Sequence, residues 1–119
     1  METEFSIKIF EIMQTSTPSG RHSEDGEPAG DTIRNLVLDN WEKYEKIQIY
    51  FDGIVQMTRP FADEAFGKIL EKYSLEDFNQ KIHFPDANDR HVKELNNALK
   101  LRMKIIKMHK ERQDALGEG

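Results

Sequence analysis

The sequence predicts an α/β domain in which strands joined through helical crossovers form a helix-covered sheet. Three observations predict it. Short apolar tracts of strand character alternate with longer tracts of helical spacing. Their order is strand, loop, helix, strand, helix, short helix, strand, helix, which implies crossover connections. Seven Phe, three Tyr and one Trp supply a core for a chain of 119 residues, long enough to bury most of its unfolded surface without a metal or crosslink.

Each element has its own signal. Phe5, Ile7 and Ile9 alternate along residues 5–12, a strand pattern that blurs at Phe10. Residues 15–30 hold Pro18, Gly20, Gly26, Pro28 and Gly30 and read as a loop with a short strand near Ser19–His22, which brings the strand count to about four. Asp31 suits a helix N-cap, and Ile33, Leu36, Val37, Trp41 and Tyr44 follow at helical spacing. Lys46–Phe51 is β-prone and ends in the turn pair Asp52-Gly53. Phe61, Ala65, Ile69 and Tyr73 mark the next helix, with Pro60 in its first turn and Asp63 and Glu64 complementing its N-terminal dipole. Ser74 opens a short helix in near-capping-box form. Lys81–Phe84 is a strand stopped by Pro85-Asp86. A long helix is expected over 89–113, with a frayed tail over 114–119. One domain is expected over residues 1–119, with its core at about 5–100.

Charge and composition exclude several functions. Seventeen basic residues against twenty-two acidic ones give a net charge of -5 and a pI near 5.4, so a wholly basic surface for nucleic acid is excluded. There is no cysteine, hence no disulfide framework, thiolate nucleophile or cysteine-ligated metal. No apolar run approaches the ~20 residues of a membrane span, and Met1-Glu2-Thr3-Glu4 is too acidic for a secretion signal. A soluble, cytoplasmic protein is expected. The charge is uneven: residues 100–112 carry six bases against Glu111, a net +5, while residues 1–99 hold eleven bases and nineteen acids. In the final helix Leu95, Leu99, Ile105 and Ile106 form the apolar face, and Lys100, Lys104 and Lys107 the solvated one.

No catalytic set emerges. His22, His83, His91 and His109 lack metal-ligand spacing, and no serine sits in a nucleophile elbow. No metal or cofactor is expected, and the chain reads as a non-enzyme. Asp52 ends a strand, where open α/β sheets place their sites, but Asp-Gly is first a turn pair. Thr58 reads as a helix cap and is the corner's one candidate phosphorylation acceptor. The Gly20–Gly30 loop lacks the Lys-Ser or Lys-Thr of a phosphate cradle. Arg21 and Arg34 have Asp25, Glu27 and Asp31 at hand as partners.

Two stretches together carry a resemblance. Gly20-Arg21, Asp25-Gly26, Gly30 and Arg34-Asn35-Leu36 are similar to the first signature of the bacterial STAS-like domain family of unknown function. Phe51-Asp52-Gly53-Ile54, continuing to Phe61-Ala62-Asp63-Glu64-Ala65-Phe66-Gly67, resembles its second. The resemblance covers roughly residues 5–100. It implies the fold of sulfate-transporter and anti-sigma-factor-antagonist (STAS) domains, a small mixed sheet of about four strands with helices mainly on one face. It also implies a regulatory module that binds a protein, such as an ATPase-fold kinase or an anti-sigma-like protein; hydropathy argues against a membrane partner, and the net charge against nucleic acid, for which the basic Lys100–Arg112 helix is the one local candidate. The antagonists' phosphorylatable Asp-Ser-Ser-Gly segment falls on Thr58-Arg59-Pro60-Phe61, so the serine position is Pro60 and the usual phosphoserine switch is missing. The expected docking face is Arg21, Met57, Thr58, Arg59, Phe61 and Glu64, with Met57 and Phe61 as apolar anchors. The alternative function is a small-ligand or nucleotide sensor built on the Gly20–Gly30 loop and Asp52.

Overall fold

In a computed structural model, residues 2–117 are described. Strand β1 (Glu2–Lys8) pairs in parallel with β2 (Tyr44–Tyr50), which pairs in parallel with β3 (Ile82–His83). The helices are α1 (Ile9–Met13), α2 (Gly30–Asn40), α3 (Arg59–Ala65), α4 (Leu75–Lys81) and α5 (Asp89–Gly117), with a 3-10 turn at Gly67–Glu71.

Register fixes which side of the sheet is buried. Ile7 lies opposite Ile49, and Ile47 opposite Ile82; all four are buried, whereas Ser6, Lys8 and Lys46 on the other pleat are exposed. Ile33 and Val37 of α2, Phe61 and Ala65 of α3, Phe78 of α4 and Leu95 of α5 join the strand residues in one core. Helices thus cover one face, as expected.

Several expectations are corrected. Among the described residues the sheet has three strands rather than about four, and all its pairings are parallel rather than mixed. Residues 19–22 form no strand; the loop holds only a single antiparallel bridge between Glu24 and Glu27, because its prolines and polar residues offer neither an apolar face nor a full ladder. The first strand stops at Lys8, and Ile9–Met13 turns helical, closed by Gln14 in the left-handed region. Buried Ile9 therefore belongs to a helix, although it continues the strand's alternation. Asp31 does not cap α2. Ala29 holds that place, its N–H donating to the Thr32 hydroxyl at 3.1 Å, while the Asp31 carboxylate accepts from the Ser23 N–H at 3.0 Å.

The helix expected through Phe61–Tyr73 breaks after Ala65 and resumes as the 3-10 turn. The reason is close packing: a Cβ on Gly67 would lie 2.5 Å from Asp63 Oδ1 and 3.3 Å from Arg102 Cβ. Helix α5 is helical through Gly117, so the tail expected to fray from 114 is ordered to that point, and Glu118 and Gly119 lie outside the described residues. Asn88 starts α5: its side-chain oxygen accepts from the His91 N–H at 2.9 Å, and its own N–H donates to His91 Nδ1 at 3.2 Å, a reciprocal cap. With Nδ1 accepting, Nε2 carries the proton and donates to Ile54 O at 2.8 Å, and the ring stacks on Phe51 at 4.4 Å. Ile105, assigned to the packed face by periodicity, is exposed; Ile106 is half-buried. Among the described residues no helix is long and apolar enough to cross a membrane.

Candidate functional site: a groove beside a buried charge cluster

The corner between β2 and α3 is built by stitching the chain to itself. The Val55 N–H donates to Ser16 O at 2.7 Å and the Thr58 N–H to Pro18 O at 3.1 Å. The Thr58 hydroxyl donates to Ser19 O at 2.7 Å and accepts from the Phe61 N–H at 3.3 Å, so Thr58 caps α3 as its sequence predicts. From the other side Glu94 of α5 accepts the Met57 N–H at 3.2 Å. Between this corner and α5 lies a groove of about 680 Å³, with Gln56, Thr58 and Arg59 on one wall and Arg90, Lys93 and Leu101 on the other.

Only part of the expected docking face is at the surface. Thr58 and Arg59 are exposed and Arg21 is half-buried. Met57 is 5% exposed, and Phe61 and Glu64 are 0%. The anchor role for Met57 and Phe61 is therefore corrected: the backbone cap from Glu94 pulls Met57 inward, and Phe61 packs α3 into the core.

Glu64 and its neighbour Asp63 form the centre of a charge cluster. Glu64 accepts from Arg34, from Lys68 one helical turn on at 3.1 Å, and from Arg21 at 3.3 Å. Asp63 accepts from Arg21 at 2.7 Å and from Arg102 through both Nε, at 2.9 Å, and Nη2. Arg102 also lies 3.7 Å from Glu71. Burial pushes the Asp63 carboxyl up, but hydrogen bonds and charge from Arg102 and Arg21 outweigh it and hold the group below the ordinary carboxylate range. Glu64 behaves alike: burial raises it, and Lys68, Arg34 and Arg21 together bring it below its usual value. Hydrogen bonding to Asp63 raises both Arg21 and Arg102.

The local chain explains how these groups meet. Gly30 N–H donates to Gly20 O, and Asp31 N–H to Arg21 O, both at 2.9 Å, closing the 20–30 loop so that Arg21 arrives beside the start of α2. Gly30 leaves room for α3, since a Cβ there would lie 2.8 Å from Glu64 Cβ. Arg21 and Arg34 thus pair with Glu64 and, for Arg21, Asp63, not with Asp25, Glu27 or Asp31. Asp63 and Glu64 serve this cluster rather than the helix dipole. Sequence reasoning missed Lys68, Arg102, Arg90 and Lys93. Lys68 had a signal, its i,i+4 spacing from Glu64; Arg102, 39 residues from Asp63, had none.

A second cavity, about 550 Å³, is lined by Thr15, Ser19, Gly20, His22, Glu24 and Glu27 among others. Asp52 does not line it, so the two parts of the sensor alternative do not share a cavity. Asp52 sits at the turn after β2, its N–H donating to the Asp86 carboxylate at 3.0 Å. Among the described residues no group of three or more His, Asp or Glu could hold a metal ion.

Comparison with known proteins adds one finding. A family model described as a STAS-like domain of unknown function matches residues 29–92, spanning the whole Phe51–Gly67 signature and the end of the Gly20–Leu36 one. No curated protein and no solved structure matches the chain. Helices pack on one face of a small parallel sheet, and the family match spans more than half of the 119 residues: the chain belongs to the family of STAS-like domains of unknown function (DUF4325).

Proposed function

We propose that the protein is a non-enzymatic regulatory module that binds another protein, as an anti-sigma-factor antagonist does, through the groove between the Gln56–Arg59 corner and α5. The groove itself carries this reading: a concavity of about 680 Å³ with Arg59, Arg90 and Lys93 around it and Leu101 within it is large enough to seat side chains of a partner. Its floor is held rigid by the Thr58 cap and the Arg102–Asp63 pair. An ATPase-fold kinase or an anti-sigma-like protein is the partner class that the family suggests.

Control by phosphorylation is not part of this reading. Pro60 stands where antagonists carry serine, and the Thr58 hydroxyl is already engaged as donor and acceptor. Affinity capture with the wild-type chain and with Arg59→Glu tests the proposal. Arg59 is exposed, so its replacement leaves the fold intact and should release the specific partner. Retention of every captured protein by Arg59→Glu and by Lys93→Glu would refute the groove as the docking site.

A further inference from the structure

Helix α5 has 29 residues, about 43 Å, and only part of it packs on the body. His91, Leu95, Ala98 and Leu99 are buried, and Arg102 and Ile106 half-buried; these form its inward face. A second face runs beside it. Arg90, Glu94, Asn97 and Leu101 line the groove, and steps of four and three continue that line to Ile105 and Met108. Leu101, Ile105 and Met108 are 49%, 41% and 55% exposed. The groove and the apolar stripe are therefore one continuous surface, about 27 Å from Arg90 to Met108, the length of roughly 18 helical residues.

Charge along this surface is predominantly basic. Arg59, Arg90 and Lys93 flank the groove and Lys104 and Arg112 flank the stripe, all exposed. Of the acids on that side, Asp63 is neutralised by Arg21 and Arg102, and Glu94, which accepts the Met57 N–H, and Glu111 are outnumbered by these five bases. We propose that the joined surface takes an acidic amphipathic helix of a partner protein, its apolar residues lying along Leu101, Ile105 and Met108 and its carboxylates facing the flanking bases. The inference rests on the docking reading above and names that partner's chemistry. A second copy fits poorly, because both copies would bring the 100–112 segment with its net +5. A bilayer is flat and cannot fill the groove, and a nucleic-acid backbone would lie its phosphates on the aliphatic centre of the stripe.

A phage-displayed library of helical peptides, selected on the wild-type chain, tests the proposal. Enriched sequences should carry Leu, Ile, Met or Phe at i, i+4 and i+7 with Asp and Glu beside them. Their affinity should fall by at least roughly tenfold for Ile105→Glu combined with Met108→Glu, two exposed positions whose change spares the core. No enrichment, enrichment without acidic flanks, or equal affinity for the double variant would overturn it. So would dimerisation in sedimentation, binding to phosphatidylserine–phosphatidylcholine vesicles, or binding to duplex DNA that the same double variant abolishes. A captured partner that is lost with Arg59→Glu but kept by the Ile105→Glu, Met108→Glu variant rejects this inference and leaves the groove reading standing.

Discussion

Replacing Glu64 by Gln isolates the part of the charge cluster that burial makes consequential. The substitution keeps the side chain's size but removes the counter-charge from Arg34, Lys68 and Arg21 and points an amide N–H₂ toward cations. Breaking a fully buried ion pair costs about 3–5 kcal/mol. Here Glu64 is completely buried, while the side chains of Arg34, Lys68 and Arg21 are 23%, 29% and 38% exposed. The cations can turn partly to water, which reduces the cost to about 2–4 kcal/mol. Urea unfolding followed by fluorescence of the single tryptophan, Trp41, reads the change, since Trp41 is buried and stacked 3.9 Å from Tyr73. With a urea dependence of about 2 kcal/mol per molar, the midpoint should fall by roughly 1–2 M. Glu71→Gln is the internal control: this acid is half-exposed and 3.7 Å from Arg102, so its loss should change stability by less than about 0.5 kcal/mol. If the two variants shift the midpoint equally, the assignment of stability to the buried carboxylate is wrong.

Acid should act through the same pair. The folded values of Asp63 and Glu64 are lowered, so their contribution is complete above their unfolded values, about 4, and is lost as pH falls through the lowered folded values. Urea midpoints should stay level from neutral pH to about 5 and drop below about 4, less steeply in Glu64→Gln; an equal slope in the variant contradicts this. Gly67→Ala forces a Cβ against Asp63 Oδ1 and should destabilise by about 1–3 kcal/mol, despite alanine's better helix propensity. Thr58→Ala should cost about 1 kcal/mol and Thr58→Ser far less, measured by the same unfolding. His91→Phe keeps the ring against Phe51 but leaves Ile54 O and the Asn88 N–H without partners, a loss of about 1–3 kcal/mol; a neutral result would show that water replaces both bonds.

Legibility in the sequence followed the range of the interaction. The caps at Thr58 and Ser74, the strand through Ile47 and Ile49, and the start of α5 are encoded within a few residues, and each is where its pattern points. Ile9 shows the limit of period reading: five residues of alternation suit a strand equally well when the next turn is helical. Met57 and Phe61 show another limit, because an apolar residue beside a cap looks the same whether it faces solvent or the core. Arg21 pairs with carboxylates 42 and 43 residues away. No local spacing could choose these over Asp25 or Asp31, since the choice depends on how the 20–30 loop closes across α2. Ile105 was misplaced because it lies on the line of exposed Leu101 and Met108, whereas its neighbour Ile106 turns inward with Leu95 and Leu99.

The charge cluster and the groove are parts of one arrangement because they share Asp63, which both accepts from Arg21 and Arg102 and lines the groove. Arg102 comes from α5, Arg21 from the loop before α2, and Asp63 from α3, so a single carboxylate sets the distance between the two walls. Buried charges of this kind add little net stability over apolar packing, because desolvation offsets most of their attraction. What they add is direction: a bidentate arginine fixes angle as well as distance, whereas a leucine would let α5 slide along α3. The Gly67 contact works the same way, since the missing Cβ lets the 3-10 turn sit against both Asp63 and Arg102. A surface meant to hold a partner without reorganising needs walls fixed before binding. The cluster fixes α5 against α3 in this way, beside the corner that Thr58 caps.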